Sequence, residues 1–183
     1  MSAIEMAAQP LLTLMAGGAR THLSTTDIDA VTHWAALKFL ILDHVNPADC
    51  TVTANERSAF YHTRTVPTGL RIDLMRCGVG DWQTRYQRHS GTLSTGPARP
   101  NTGGMNNVCS IALGFGQLFI FMTRIVAVNL QISPNRAKAV CILPKPTHGV
   151  SWPPLFPIGI DEAEKIAGTV GDLFTSRWSK HAD

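Results

Sequence analysis

The chain has 183 residues, of which 44% are hydrophobic and 16% are charged. This composition excludes an intrinsically disordered protein, and the length suits one domain, so we expect a single domain over residues 1–183. The formal net charge of +3 is a weak basic excess, which permits nucleic-acid binding but does not by itself indicate it.

Three helices are predicted in the N-terminal third of the chain. The run Ser2–Glu5 has the form of a capping box, so a helix can begin there and end at Gly17, with Pro10 expected to kink or split it. Apolar residues at helical spacing predict a second, largely buried helix over residues 27–45. A third helix is predicted over residues 55–65.

The pattern then changes to the alternation that is typical of strands. Apolar and polar residues alternate over 70–74, which predicts a half-buried strand, and residues 82–87 are predicted to form its hairpin partner across a turn at 78–80. Further strands are predicted at residues 108–115, 118–128 and 139–143.

The remaining segments complete the predicted fold. Residues 90–106 are rich in Gly, Ser, Thr and Pro and predict a long loop, and residues 145–157 predict a proline-rich crossing segment. One short helix is expected to begin at Asp161, and a second is expected to cover residues 169–179. The fold class is therefore α+β, with N-terminal helices packed on an antiparallel β-sheet and short C-terminal helices.

No membrane partner is expected. The most apolar window, residues 111–132, contains glycines, an arginine and amides, which favour a buried hairpin over a membrane span. Residues 1–15 lack the basic leader and cleavage site of a secretory signal, and the cysteines have no pairing pattern, so we expect a cytoplasmic protein with reduced thiols.

The sequence predicts no catalytic residue, no metal and no cofactor. It contains no phosphate-binding loop, dinucleotide fingerprint, nucleophile elbow or zincin helix. No Cys-x-x-Cys or Cys-x-x-His pair is present for zinc. His33 and His44 fall on one helix face but are separated by roughly 16 Å along its axis, which excludes a shared metal.

Positive charge and aromatic rings gather in only one segment, residues 76–99. Arginine forks near exposed rings suit phosphates and stacked bases, so this segment is the predicted contact surface for nucleic acid or an acidic partner. The alternative is a strand with a solvated outer face and core aromatics. The predicted contact residues are Arg76, Trp82, Arg85, Tyr86, Arg88, His89 and Arg99.

The run from Trp152 to Pro157 is a second candidate for recognition. Its sequence, Trp-Pro-Pro-Leu-Phe-Pro, combines prolines with large apolar residues. Packing against the sheet is the favoured interpretation, with proline keeping a strand edge unpaired. A recognition strip is the alternative.

Six short runs in the first 70 residues follow one another in a recognisable order: Met1–Glu5, Ala8–Leu12, Met15–Gly17, His33–Lys38, Asn55–Ser58 and Val66–Gly69. Their order resembles the region that follows the zinc ribbon in bacterial and phage proteins related to HNH endonucleases. In that family a Cys-x-x-Cys-Asn segment leads into the resembling stretch; this chain has no such cysteine pair, so no ligand or catalytic residue is carried over. The resemblance implies an accessory part of such a protein, or a version shortened to it.

Three functional hypotheses follow. The first is a non-catalytic binding module that contacts nucleic acid or a nuclease-type protein. The second is a phage or mobile-element protein that inhibits a host defence complex by protein–protein contact. The third is an enzyme with an unrecognised site around His62 or His89. The sequence does not determine the oligomeric state.

Overall fold

The computed structural model describes residues 2–78, 85–92, 106–126 and 132–178. Most of the predicted turn at 78–80 and of the predicted loop at 90–106 lies outside these residues. The helices within them are α1 (Ala3–Ala16), α2 (Thr25–Asp43), α3 (Ala54–Thr63) and α4 (Ile160–Trp178). The strands are β1 (Thr21–Leu23), β2 (Leu70–Arg76), β3 (Arg85–Gly91), β4 (Val108–Phe115), β5 (Leu118–Ile125), β6 (Ala139–Leu143) and β7 (Val150–Trp152).

Capping boxes begin the first three helices. In each, a hydroxyl accepts a hydrogen bond from a backbone N–H, and an acidic side chain three residues on accepts one from the cap residue. The boxes of α1 and α3 confirm the predicted starts, whereas α2 begins earlier than predicted because Ser24 is its cap. Pro10 was predicted to kink or split α1, and the helix is not split there. Pro10 has no N–H to donate to the carbonyl oxygen of Met6. Because Pro10 is exposed, water can form a hydrogen bond with this carbonyl instead.

The central sheet has five antiparallel strands in the order β3-β4-β5-β2-β6. The predicted hairpin between β2 and residues 82–87 is wrong, because β2 pairs with β5 and β6 while β3 pairs with β4 at the sheet edge. Strand β2 is buried along most of its length and needs a neighbour on each side. The polar residues of β3 suit an edge, where one side of the strand is not paired within the sheet.

Helices cover both faces of this sheet. Leu74 and Ile120 pack with α1 and α2 on one face, and Met75 and Phe119 pack with α4 on the other. Strand β2 is therefore not half-buried as predicted, and Asp73 is only 1% exposed. These layers confirm an α+β fold with N-terminal helices on an antiparallel sheet.

The C-terminal region forms one helix of 19 residues where two short helices were predicted. Gly168 and Gly171 lie inside it. A Cβ atom at Gly171 would come within 2.8 Å of the His89 ring, so the glycine lets α4 approach β3 closely.

Asp43, the last residue of α2, is fully buried and organises the loop that follows it. Its carboxylate accepts hydrogen bonds from the backbone N–H of Thr51 at 3.0 Å and of Val52 at 2.9 Å, and from the Thr51 hydroxyl at 3.0 Å. Arg88 of β3 places Nη2 3.9 Å from this carboxylate and donates to the carbonyl oxygens of Asp43 and Asp49 at 3.2 and 2.9 Å.

Arg124 of β5 holds the same loop from the sheet and is 2% exposed. Its guanidinium donates to the carbonyl oxygens of Thr51 and Thr68 and forms an ion pair with Glu56 at 2.5 Å. We refer to Asp43, Thr51, Val52, Arg88 and Arg124 as the Asp43 network. Because these groups are buried with their partners, the network joins α2, the loop and the sheet.

Replacement of Asp43 by alanine should lower the free energy of unfolding by about 3–5 kcal/mol, because it leaves two backbone N–H groups and the Thr51 hydroxyl without their buried acceptor and Arg88 without its counter-charge. Asp29→Ala on the same helix is the matched control. Its ion pair with Lys145 is solvent-exposed, so its loss should cost less than about 1 kcal/mol. Urea unfolding of both variants measures the difference, and equal midpoints would contradict the assigned role of Asp43.

Candidate functional site

The structure does not bring the described members of the predicted 76–99 contact surface together. Arg88 points to the end of α2, where its side chain is 15% exposed and bonded to backbone carbonyls. His89 lies on the opposite face of β3, beside Gly171 of α4, and its Nε2 is 2.7 Å from the Gln87 amide nitrogen.

The other predicted contact residues are equally dispersed or lie outside the described side chains. Tyr86 is 63% exposed on β3, whereas Arg76 ends β2, three strand spacings or roughly 14 Å away. Trp82, Arg99 and the side chain of Arg85 lie outside the described part of the chain. A single nucleic-acid surface formed by this segment therefore stays a prediction.

A groove of about 670 Å³ opens between α1, α2 and the end of β4. Trp34 and Phe115 form its aromatic wall, with ring centroids 5.9 Å apart in an edge-to-face arrangement at 66°. We call it the aromatic groove. Its lining residues are Glu5, Gln9, Leu12, Thr13, Ala16, Trp34 and Phe115.

The charges at the rim of the aromatic groove neutralise each other. Lys38 Nζ lies 2.9 Å from Glu5 Oε1 and 5.6 Å from the Trp34 ring centroid. Hydrogen bonding from the Ser2 backbone, together with Lys38, lowers the pKa of Glu5 to about 2. Glu5 therefore carries its negative charge at neutral pH, and the groove presents apolar surface beside its ion pair with Lys38.

A second feature projects from the proline-rich segment after β7. Trp152 and Ile158 are buried at 2% and 1% exposure and fix the two ends. Between them Leu155 is 78% exposed, the highest value among the large apolar side chains of the described residues, and Phe156 is 51% exposed. We call Leu155, Phe156 and Pro157 the apolar knob. The predicted packing holds for Trp152, whereas the knob fits the alternative of a recognition strip.

The backbone beneath the knob is held by hydrogen bonds. Phe156 N–H donates to the Ala137 carbonyl at 3.1 Å, and Ile158 N–H donates to the Arg76 carbonyl at 2.8 Å. Burial of Leu155 and Phe156 against a partner would gain about 1.5–3 kcal/mol for each side chain. Because the backbone is already ordered, little conformational entropy would be lost.

A chain of backbone hydrogen bonds joins the groove to the knob. Gln117 N–H donates to the Ala16 carbonyl at 2.7 Å, and Cys77 N–H donates to the Gln117 carbonyl at 2.9 Å. Gly78 N–H then donates to the Ile158 carbonyl at 3.0 Å. The two features therefore lie at the same end of the sheet, where β2 ends and β4 turns into β5.

One nucleophile and base approach each other within the described residues, a pair that the sequence analysis did not identify. Cys50 Sγ lies 3.2 Å from Nδ1 of His44, the residue that caps the C-terminus of α2. Burial, followed by the charge of Asp43, raises the pKa of the Cys50 thiol, which also donates to the Asp43 carbonyl at 3.4 Å. Both effects disfavour the thiolate form, which is the nucleophile in cysteine catalysis.

No group of three or more His, Cys, Asp or Glu side chains within the described ranges could hold a metal ion. None of the described helices combines the length and the apolar character that a membrane span requires. No family model, curated protein or solved structure matches this chain.

The described thiols should react slowly with iodoacetamide in the native protein. Burial raises the pKa of Cys77 to about 11, which makes its thiolate roughly a hundredfold scarcer at neutral pH, and it also raises the pKa of Cys50 and Cys109. Cys141 is only half-buried and should react first. Mass spectrometry of native and urea-unfolded samples gives each rate. Cys50 reacting faster than free glutathione would favour the enzyme hypothesis instead.

Proposed function

We propose that this chain is a non-catalytic protein-interaction module whose aromatic groove receives an apolar segment of a partner protein. The observation that carries the proposal is the open volume of about 670 Å³ beside Trp34 and Phe115. This volume falls in the range of ligand sites, whereas the smaller cleft between β3 and α4 holds about 100 Å³.

The chemistry of the groove favours an apolar, proline-containing segment. Aromatic-lined grooves bind extended proline-rich chains because such chains lose little conformational entropy on binding. The ion pair between Glu5 and Lys38 leaves little net charge at the rim. We therefore expect selection by shape and apolar contact, with a weak dependence on salt.

Two observations support a protein ligand over the other hypotheses. Arg88, a predicted phosphate contact, already donates to two carbonyl oxygens inside the protein. The thiol closest to a histidine, Cys50, has a raised pKa and is buried. Whether the partner is a nuclease-type protein, as the HNH resemblance implies, or a host defence protein stays a prediction.

Selection of phage-displayed random peptides on the wild-type chain and on the Thr13→Trp variant tests the proposal. Thr13 lines the groove, and its hydroxyl donates to the Gln9 carbonyl at 2.9 Å, so tryptophan should fill the groove without disturbing the core. We expect peptides rich in proline and large apolar residues to bind the wild type and to lose at least roughly tenfold in affinity for the variant.

Thr63→Trp is the matched control. Thr63 is also an exposed helical threonine whose hydroxyl donates to a carbonyl four residues earlier, at 2.7 Å, but it lies on α3 away from the groove. It should bind the selected peptides as the wild type does. Failure of every peptide to distinguish Thr13→Trp from this control would remove the proposal, and salt-sensitive binding of a DNA duplex in its place would favour the nucleic-acid hypothesis.

A further inference from the structure

We infer that the segment received by the aromatic groove is the apolar knob of a second copy of this chain, so that two copies form a closed symmetric dimer. The inference rests on the proposed function, because it assigns the occupant of the same groove. It is carried by a separate observation, which is that an exposed apolar projection and an aromatic receptor occur in one chain at one end of the sheet.

The knob has the chemistry that the groove selects. It places Leu155 and Phe156 between Pro154 and Pro157, and these two side chains are 78% and 51% exposed. Contiguous exposed apolar surface, unlike single scattered residues, marks sites of contact with another molecule. The knob carries no charge, which matches a groove whose rim charges are already paired.

The positions of the two features allow the contact to close. Ala16 lines the groove and Ile158 ends the knob segment, and backbone hydrogen bonds through Gln117 and Cys77 connect them. A two-fold axis through this end of the molecule would bring each knob to the partner's groove. Two identical contacts then form at once, and the assembly stops at two copies because both receptors are filled.

Sedimentation velocity of purified chains at about 100 µM tests the dimer, since a micromolar contact is nearly saturated at that concentration. The wild type should sediment as a dimer. The double variant Leu155→Asp/Phe156→Asp lacks the knob, and Thr13→Trp lacks the groove. We expect the dissociation constant of each to be roughly a hundredfold higher, or more, than that of the wild type. Val45→Asp places an acid at another apolar site, 67% exposed, and should remain dimeric.

A mixture of the two deficient variants gives the sharper test. The Thr13→Trp chain retains its knob and the double variant retains its groove, so one of the two contacts can form between them. We expect a heterodimer that is weaker than the wild-type dimer. A mixture that stays monomeric, although circular dichroism shows both variants folded, would overturn the knob-in-groove contact.

The outcomes separate this inference from the proposed function. A monomeric wild type whose groove still selects peptides overturns the inference and leaves the proposed function standing. A monomeric wild type that selects no peptide removes both. If Leu155→Asp/Phe156→Asp proves unfolded, Leu155→Ala replaces it, and a dissociation constant unchanged from the wild type then counts against the inference.

Discussion

The arrangement of both recognition features depends on the close approach between the β4–β5 turn and the end of α1. Gly116 has a positive φ of 56°, and a Cβ atom at this position would collide with the carbonyl oxygen of Ala16. Only glycine meets both requirements without strain. The approach allows the hydrogen bond from Gln117 to Ala16, from which the connection continues through Cys77 to Ile158. The groove wall and the base of the knob are therefore fixed to one backbone unit.

The Asp43 network stabilises the opposite end of the same sheet. There the buried carboxylate and the Arg88 and Arg124 guanidinium groups attach the loop after α2 to the strands. Because α2 also carries Trp34, the network helps to set the position of the groove wall from a distance. Buried charge thus has a structural role at one end of the sheet, while the groove and the knob lie at the other.

Local chemistry made the elements predictable, whereas long-range pairing did not follow from it. The box of Ser2 and Glu5 and the apolar run over 108–115 depend on neighbouring residues, and the predicted helix start and strand are both confirmed. The partner of β2 depends on residues far along the chain, so the hairpin predicted from a nearby turn was wrong. The groove was missed for the same reason, because Trp34 and Phe115 meet only after the sheet has formed. The knob could be recognised in the sequence as part of a proline-rich run, but the exposure of its side chains depends on the folded structure.

Hydrogen–deuterium exchange at low and high protein concentration tests most directly the claim that groove and knob form one interface. The account predicts that, as concentration rises, protection increases together in residues 3–16 of α1 and in residues 150–160 around the knob, with little change along β3. The account would be contradicted if protection increased only in β3, or if it increased neither in residues 3–16 nor in residues 150–160.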